Sequence, residues 1–306
     1  MSARSPRDVA ASVRARLRAR AAEQGLDFNQ ALQYYAMERF LYRMSKTHWA
    51  PTLILKGAAM LRVWDGAIAR PTRDIDFLGT RIDGAPEAVA AMVRECLGVE
   101  SDDGLEFSAE VLTEAIAVEG QYPGVRATVQ GRLSGARIRL QLDMVVGDSV
   151  VPPPKWVDYP TLLDTEPPRI LAYQPASAIA EKFEAVASRG LRNSRMKDYY
   201  DMWMLSESVP VDGSELCESI RSTFSSRGTE VPVSLSAVLF ESEQQSEIVT
   251  LWNAFVKRMR VSGIDAPESL PDVVGVIDEL LVPPSAAVVD GQPFSLSWTP
   301  GEGWGE

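Results

Sequence analysis

Residues 136–146, "ARIRLQLDMVV", set Ile138, Leu140, Leu142 and Met144 against Arg137, Arg139, Gln141 and Asp143 in strict alternation. A period of two sustained this long describes a β-strand with one apolar and one polar face. The chain must therefore build a sheet. Residues 107–118 and 125–133 share the β-rich alternation, with "QYPG" (121–124) as the turn between them. "TLIL" (52–55) reads as a short buried strand, broken by Lys56-Gly57 and continued as a helix through "AAMLRVW". The remainder has helical spacing. Residues 8–24 form a basic helix ending near Gly25, and a second helix follows "LDFNQ". Asp27 can cap it, Gln30 suits a capping box, and Leu32, Tyr35, Ala36, Phe40 and Met44 recur on one face. Residues 86–97 are also helical.

"VPPPKW" and "TEPPR" mark a proline-rich connection between 151 and 169, and the pattern beyond it is helical. One helix starts after Pro175 and runs through "SAIAEKFEAVAS" until Gly190 ends it; another covers "SRMKDYYDMWML". Met196, Tyr199, Tyr200, Trp203 and Met204 are the apolar stripe of the latter and belong to a core rather than to a base-stacking surface. Further helices are expected near 214–224, 243–260 and 270–281, and the last 24 residues, rich in Pro, Gly and Ser with two tryptophans, read as an extended tail packed on the body. The class is α+β. The length suits two domains, 1–168 with the sheet and the N-terminal helices and 169–306 mainly helical.

Composition narrows the chemistry. A net charge of −11 argues against coating nucleic acid indiscriminately. Basic residues nevertheless cluster. Residues 1–20 hold six arginines against one aspartate, and 182–197 hold Lys182, Arg189, Arg192, Arg195 and Lys197. Those patches suit a polyanion or simply a solvated helix face. Cys96 and Cys217 are far apart, and the single histidine, His48 in "KTHWAP", excludes a multi-histidine metal site. No apolar run reaches membrane-spanning length and the Arg-rich N-terminus has no apolar h-region, so a cytoplasmic protein is expected.

The chemistry concentrates in "RPTRDIDFLG" (70–79). On a strand, Asp74 and Asp76 point the same way about 6–7 Å apart. Like charges so placed repel, and ion pairing with Arg70 and Arg73 is one remedy. A divalent cation is another. If strand 136–146 lies beside them, Asp143 joins the pair, and such a group suits Mg²⁺, two ions of which can clamp the attacking and leaving oxygens of a phosphoryl transfer. A strand, then Lys56-Gly57 opening a helix, then a strand with Asp-x-Asp is the layout of a nucleotidyltransferase core. The glycine lets backbone N–H groups approach a triphosphate, and the helix N-terminus favours its charge.

"FLYRMSKTHWAPTLILKGAAMLRVW", "RPTRDIDFLG", "LQLDMVVGD" and "AIAEKFEAVASRGLRNSRMKDYYDMWML" together resemble the AbiEii/AbiGii nucleotidyltransferase toxins, which include the MenT enzymes. These stretches extend over about two thirds of the chain. The resemblance implies a polymerase-β-like nucleotidyltransferase domain with a mixed sheet, joined to a helical domain, with the active site in the cleft. By it Asp74 and Asp76 hold Mg²⁺; Asp143 is the further metal ligand expected from the residues themselves. Lys182 of the "EK" helix contacts triphosphate and transition state, and Asp198 of "R-x-K-D" is an essential polar residue. Lys56, Gly57, Thr72, Arg73, Arg195 and Lys197 are the expected nucleotide-binding groups. Read from the residues alone, Lys182 could be a solvated helix residue, Asp198 could pair with Arg195 or Lys197, and Asp201 is a structural partner. The family usually has Gly-Gly or Gly-Ser after the lysine; here Gly57 is followed by Ala58 and Ala59. The resemblance further implies an NTP substrate, two Mg²⁺ ions when it is bound, an RNA acceptor (the tRNA 3′ end) and an antitoxin partner. A nucleotidyltransferase acting on a protein or small molecule, and a nucleotide-binding module without turnover, are the alternatives.

Overall fold

The computed structural model describes residues 6–64, 70–117, 123–147, 150–240 and 245–306. The chain divides into two compact units, Met1–Ser149 with Lys155–Ala172, and Val150–Pro154 with Tyr173–Glu306.

In the first unit, helices α1 (Pro6–Glu23) and α2 (Phe28–Ser45) precede strand β1 (Leu53–Lys56). A 3-10 turn (Gly57–Met60) and the single-turn helix α3 (Leu61–Trp64) lead towards β2 (Asp74–Gly79) and α4 (Pro86–Leu97). Then come β3 (Glu106–Ala117), β4 (Pro123–Leu133), β5 (Ala136–Val146), β6 (Lys155–Asp158) and β7 (Arg169–Ala172). The seven strands form one mixed sheet in the order β3-β4-β5-β2-β1-β7-β6. β2 runs parallel to β5 and β1 parallel to β7, and the other neighbours are antiparallel.

The alternation in β5 divides the two faces as expected. Ile138, Leu140, Leu142 and Met144 are buried and join Ile75, Phe77 and the apolar stripe of α2 in one core, where the Phe40 and Phe77 rings lie 6.5 Å apart. α2 starts at Asp27, whose carboxylate accepts from the Asn29 and Gln30 backbone N–H groups, a cap worth about 1 kcal/mol. The reciprocal half of the expected capping box is not made, because the Gln30 side chain donates to the Tyr34 hydroxyl instead. Ser134 (φ +43°) and Gly135 (φ +83°) join β4 to β5 in a two-residue turn with the primed geometry that matches strand twist. Half of the turn expected at 121–124 lies outside the described residues, and its other half, Pro123 and Gly124, already belongs to β4.

Three expectations need correction. The chain after Gly57 begins as a 3-10 turn and not as a regular helix, so the turn has a close backbone approach to offer rather than the summed dipole of a long helix. The proline-rich connection contains β6 and β7. β7 satisfies its backbone groups beside β1, which carries the sheet past residue 168, while residues 150–154 are bound to the second unit by hydrogen bonds from Gln174 to Pro153 and from Ser177 and Ser219 to Val151. The last 24 residues are only partly extended, because the final helix runs to Asp290 through Pro283 and Pro284.

The second unit is mainly helical, with α5 (Pro175–Arg189), α6 (Met196–Ser208), a two-residue strand β8 (Val211–Asp212), α7 (Gly213–Arg227), α8 (Leu235–Phe240), α9 (Gln245–Val261) and α10 (Leu270–Asp290). Strands β9 (Ser297–Thr299) and β10 (Gly303–Gly305) form a small sheet with β8. α5 ends where Gly190 takes φ +49°. Phe183 meets Phe224, and Tyr200 and Trp252 both meet Phe255, with ring centroids 5.0–5.8 Å apart. Tyr199 and Tyr200 are buried as expected and Trp203 is half-buried.

Candidate active site

The register of the first sheet lines up a row of charged residues across five strands. Lys56 pairs with Asp76, Asp76 with Asp143, Asp143 with Arg126, and Arg126 with Glu114. Residues directly opposite in register share a face of the sheet. Asp74 is one step along, opposite Gln141. Ile75 and Phe77, between and beyond the two aspartates, point into the core, so burying them fixes both carboxylates on the other face.

Gly57 shapes the turn against this row. Its φ is +71°, and a Cβ placed there would stand 2.0 Å from Asp76 Oδ2. Only glycine meets both demands, since an L side chain is strained at that φ and would collide with the carboxylate. Ala58 and Ala59 follow in the 3-10 turn with their methyls buried, so alanine in place of the usual second glycine is accommodated without strain. Thr72 opens β2, its hydroxyl bonded to the Asp74 backbone. Arg73 is exposed, and its carbonyl accepts a hydrogen bond from the Gln33 side chain of α2.

Asp143 is engaged at both oxygens. Arg126 Nε reaches Oδ1 and Nη2 reaches Oδ2, each at 2.8 Å, in a two-pronged ion pair. On its far side Arg126 Nη1 lies 3.8 Å from Glu114 Oε1. The hydrogen bonds to Asp143 raise the Arg126 pKa above the ordinary arginine value. Partial burial opposes them, and the charges of Asp143, Asp74 and Glu114 add to them. Arg126 had no place among the residues expected from sequence. The signal was there: Leu133 pairs with Ala136 across the Ser134-Gly135 turn, and seven residues further out on each strand Arg126 meets Asp143.

The second unit holds its own polar group. Asp198 and Asp201, one turn apart on α6, are fully buried and close on Lys182 of α5 at 3.4 Å and 2.5 Å. Arg195 grips the other side of Asp198, with Nη2 donating to Oδ1 at 3.2 Å. Its Nε lies 2.7 Å from Oδ2, a close charge contact without hydrogen-bond alignment. Two anions thus face two cations. Asp198 pairs with Arg195 as one reading of the sequence allowed, and Asp201 is the structural partner expected. Lys182 is mostly buried, so it is no ordinary solvated helix residue. Lys197 is exposed.

Among the described residues no three carboxylate, histidine or cysteine side chains are grouped to hold a metal. The hard-oxygen pair Asp74 and Asp76 nevertheless fits a small divalent cation, which takes one or two carboxylates and completes its shell with water and phosphate oxygens. The mixed sheet presents the Asp-x-Asp strand beside the Gly57 turn, the layout expected from the sequence. The family described as "Nucleotidyl transferase AbiEii toxin, Type IV TA system" matches residues 39–278, and the chain belongs to it. It is a nucleotidyltransferase toxin of a type IV toxin–antitoxin system, which implies a nucleotide substrate and an antitoxin partner. No curated protein matches the chain. Among solved structures it is similar to JHP933 from Helicobacter pylori, with 11% identity over 87% of this chain and 94% of that one at a TM-score of 0.49. A candidate nucleotidyltransferase from H. pylori shares 12% identity over 87% of this chain and 97% of its own at a TM-score of 0.46. Among the described residues no helix is long and apolar enough to cross a membrane.

Proposed function

We propose that the protein transfers a nucleoside monophosphate from an NTP to an RNA acceptor, the tRNA 3′ end, with Mg²⁺ bound by Asp74 and Asp76. The observation that supports this reading is the close packing of Gly57 on Asp76, which leaves the turn's backbone beside that carboxylate with no side chain between them. In the reaction an acceptor hydroxyl oxygen attacks the α-phosphorus, the bond from that phosphorus to the β-phosphate's bridging oxygen breaks, and pyrophosphate leaves. Bound Mg²⁺ supplies charge neutralisation for the triphosphate and its leaving group. Asp74 and Asp76 hold the ion. The Lys56-Gly57 turn, Thr72 and Arg73 bind the nucleotide, and Asp143 positions the acceptor hydroxyl or takes its proton. Lys182 supplies positive charge to the departing pyrophosphate, and Asp198 and Asp201 fix its ammonium group so that no reorganisation is needed when that charge develops. Arg195 and Lys197 add cationic surface for phosphate, and the arginines of α1 offer a face for RNA.

Incubation with each labelled NTP, Mg²⁺ and total tRNA should give label on RNA that RNase releases. Label that survives RNase would assign a protein or small-molecule acceptor instead. No transfer to any acceptor, or undiminished transfer by Asp76→Ala, would sink the reading.

A further inference from the structure

Asp143, a member of the acidic row, is neutralised by a protein cation, Arg126. Its two oxygens face Arg126 Nε and Nη2, and the Gln141 amide lies 3.4 Å from Oδ1. Asp143 is therefore not poised to join Asp74 and Asp76 at a metal while Arg126 stays where it is. The same guanidinium has a second anion within reach, Glu114, which pairs with Arg126 in the sheet register and is itself well exposed. The planar guanidinium thus lies between a half-buried carboxylate, held at two points, and an exposed one 3.8 Å from its third nitrogen, so a small rotation would exchange the stronger contact for the weaker.

We propose that Arg126 is a positioning residue that gates Asp143: with the nucleotide site empty it holds Asp143 out of the metal set, and it turns to Glu114 when a metal-bound triphosphate claims that carboxylate. The inference rests on the metal-dependent transfer proposed above. It accounts for three carboxylates sharing one face of a folded sheet. Two of them, Asp74 and Asp76, are separated along a strand, and the third is charge-compensated until needed. It also makes assembly of the full metal site depend on nucleotide, so metal alone binds weakly.

The test is Mn²⁺ binding to the full chain without nucleotide, followed by the electron paramagnetic resonance of free Mn²⁺, with NTP transfer by the unaltered protein run in parallel. Arg126→Gln exposes Asp143 and should bind Mn²⁺ about tenfold more tightly than the unaltered protein, the scale of one close charge removed at the surface of a site. Arg126→Lys keeps a cation that cannot span both oxygens and should fall between the two. Glu114→Gln, which takes away the second resting position, should weaken Mn²⁺ binding, and should have no effect in the Arg126→Gln background. Equal Mn²⁺ affinity in the unaltered protein and Arg126→Gln, with both folded by thermal melting and transfer intact, overturns the gate and leaves the transfer reading standing. If Arg126→Gln does not fold, unchanged affinity in Arg126→Lys overturns it in the same way. A Glu114→Gln effect that persists undiminished without Arg126 overturns the shuttle. Absence of both transfer and Mn²⁺ binding in every protein removes the gate and the transfer reading together.

Discussion

At the residue scale, Gly57 is the position with the least freedom. Its positive φ alone costs an L-residue about 1–2 kcal/mol, and the missing Cβ leaves room for Asp76. Gly57→Ala should therefore do two separate things. Melting temperature should fall by a few degrees, in line with a loss of about 1–2 kcal/mol in a domain of this size. Transfer activity should fall by about 100-fold or more, the usual consequence of moving a reacting group by about 1 Å. Ala58→Gly, which restores the glycine pair usual in the family, should keep activity within a few-fold, because the Ala58 methyl is already accommodated. Retention of half the activity by Gly57→Ala would mean that the tight fit to Asp76 has no bearing on turnover. The glycine itself was legible from "LKGAAM" as a turn between strand and helix. That its neighbour in space is Asp76 required the antiparallel pairing of β1 with β2, which no local pattern encodes.

At the scale of elements, α2 shows what periodicity reads and what it misses. Its apolar stripe is buried as the spacing implies, yet Glu38, Arg39 and Arg43 on the same helix are buried too. Their partners lie far along the chain: Asp103 for both arginines, and Arg62 with the Leu162 backbone N–H for Glu38. A helical wheel cannot find ion pairs of that range. The hairpin of β4 and β5 is the opposite case, since a two-residue turn fixes every cross-strand pair and could have exposed Arg126 beforehand. The α2 network has a consequence for pH. Burial alone would raise the Asp103 pKa, but hydrogen bonds and charge from Arg43, with the Leu105 N–H and Ser101, outweigh it and hold the carboxyl below its usual range. A folded-state pKa below the unfolded value of about 3.9 gives stability that is complete above that value and is lost as pH falls through the folded one. Asp103→Asn leaves two buried guanidinium groups without a counter-ion and should cost about 3–5 kcal/mol at neutral pH. That deficit, measured by urea denaturation, should shrink as the pH is taken below about 4. A constant deficit from pH 7 to pH 3 would rule out the ionised carboxylate as its source.

At the scale of the whole molecule, the sheet-then-helices order was plain in the sequence, and so was the acidic row's location. The path of the chain between the units was not. The prolines at 152–154 and 167–168 looked like a linker, yet the segments beside them complete a sheet, because the prolines stop just short of β6 and β7 and remove no N–H from either strand. That the tail packs on the body was legible from its tryptophans; which elements it fastens was not. Trp298 is buried and donates its indole N–H to the Ser206 carbonyl, and Trp304 donates to the carbonyls of Glu279 and Leu280, so the C-terminal strands fasten α6 and α10. Each unit has its own core, and units of this kind commonly unfold as separate cooperative steps. Calorimetry of the full chain should then show two transitions. Trp298→Ala, a buried aromatic deletion of about 3–5 kcal/mol, should lower one of them, and Asp103→Asn should lower the other, with the double variant additive because the two sites share no partner. NTP with Mg²⁺ should raise the transition that Asp103→Asn lowers, since Asp74 and Asp76 belong to that unit and ligand binding stabilises the folded state it binds. A single transition moved equally by either substitution would show that the two cores unfold as one.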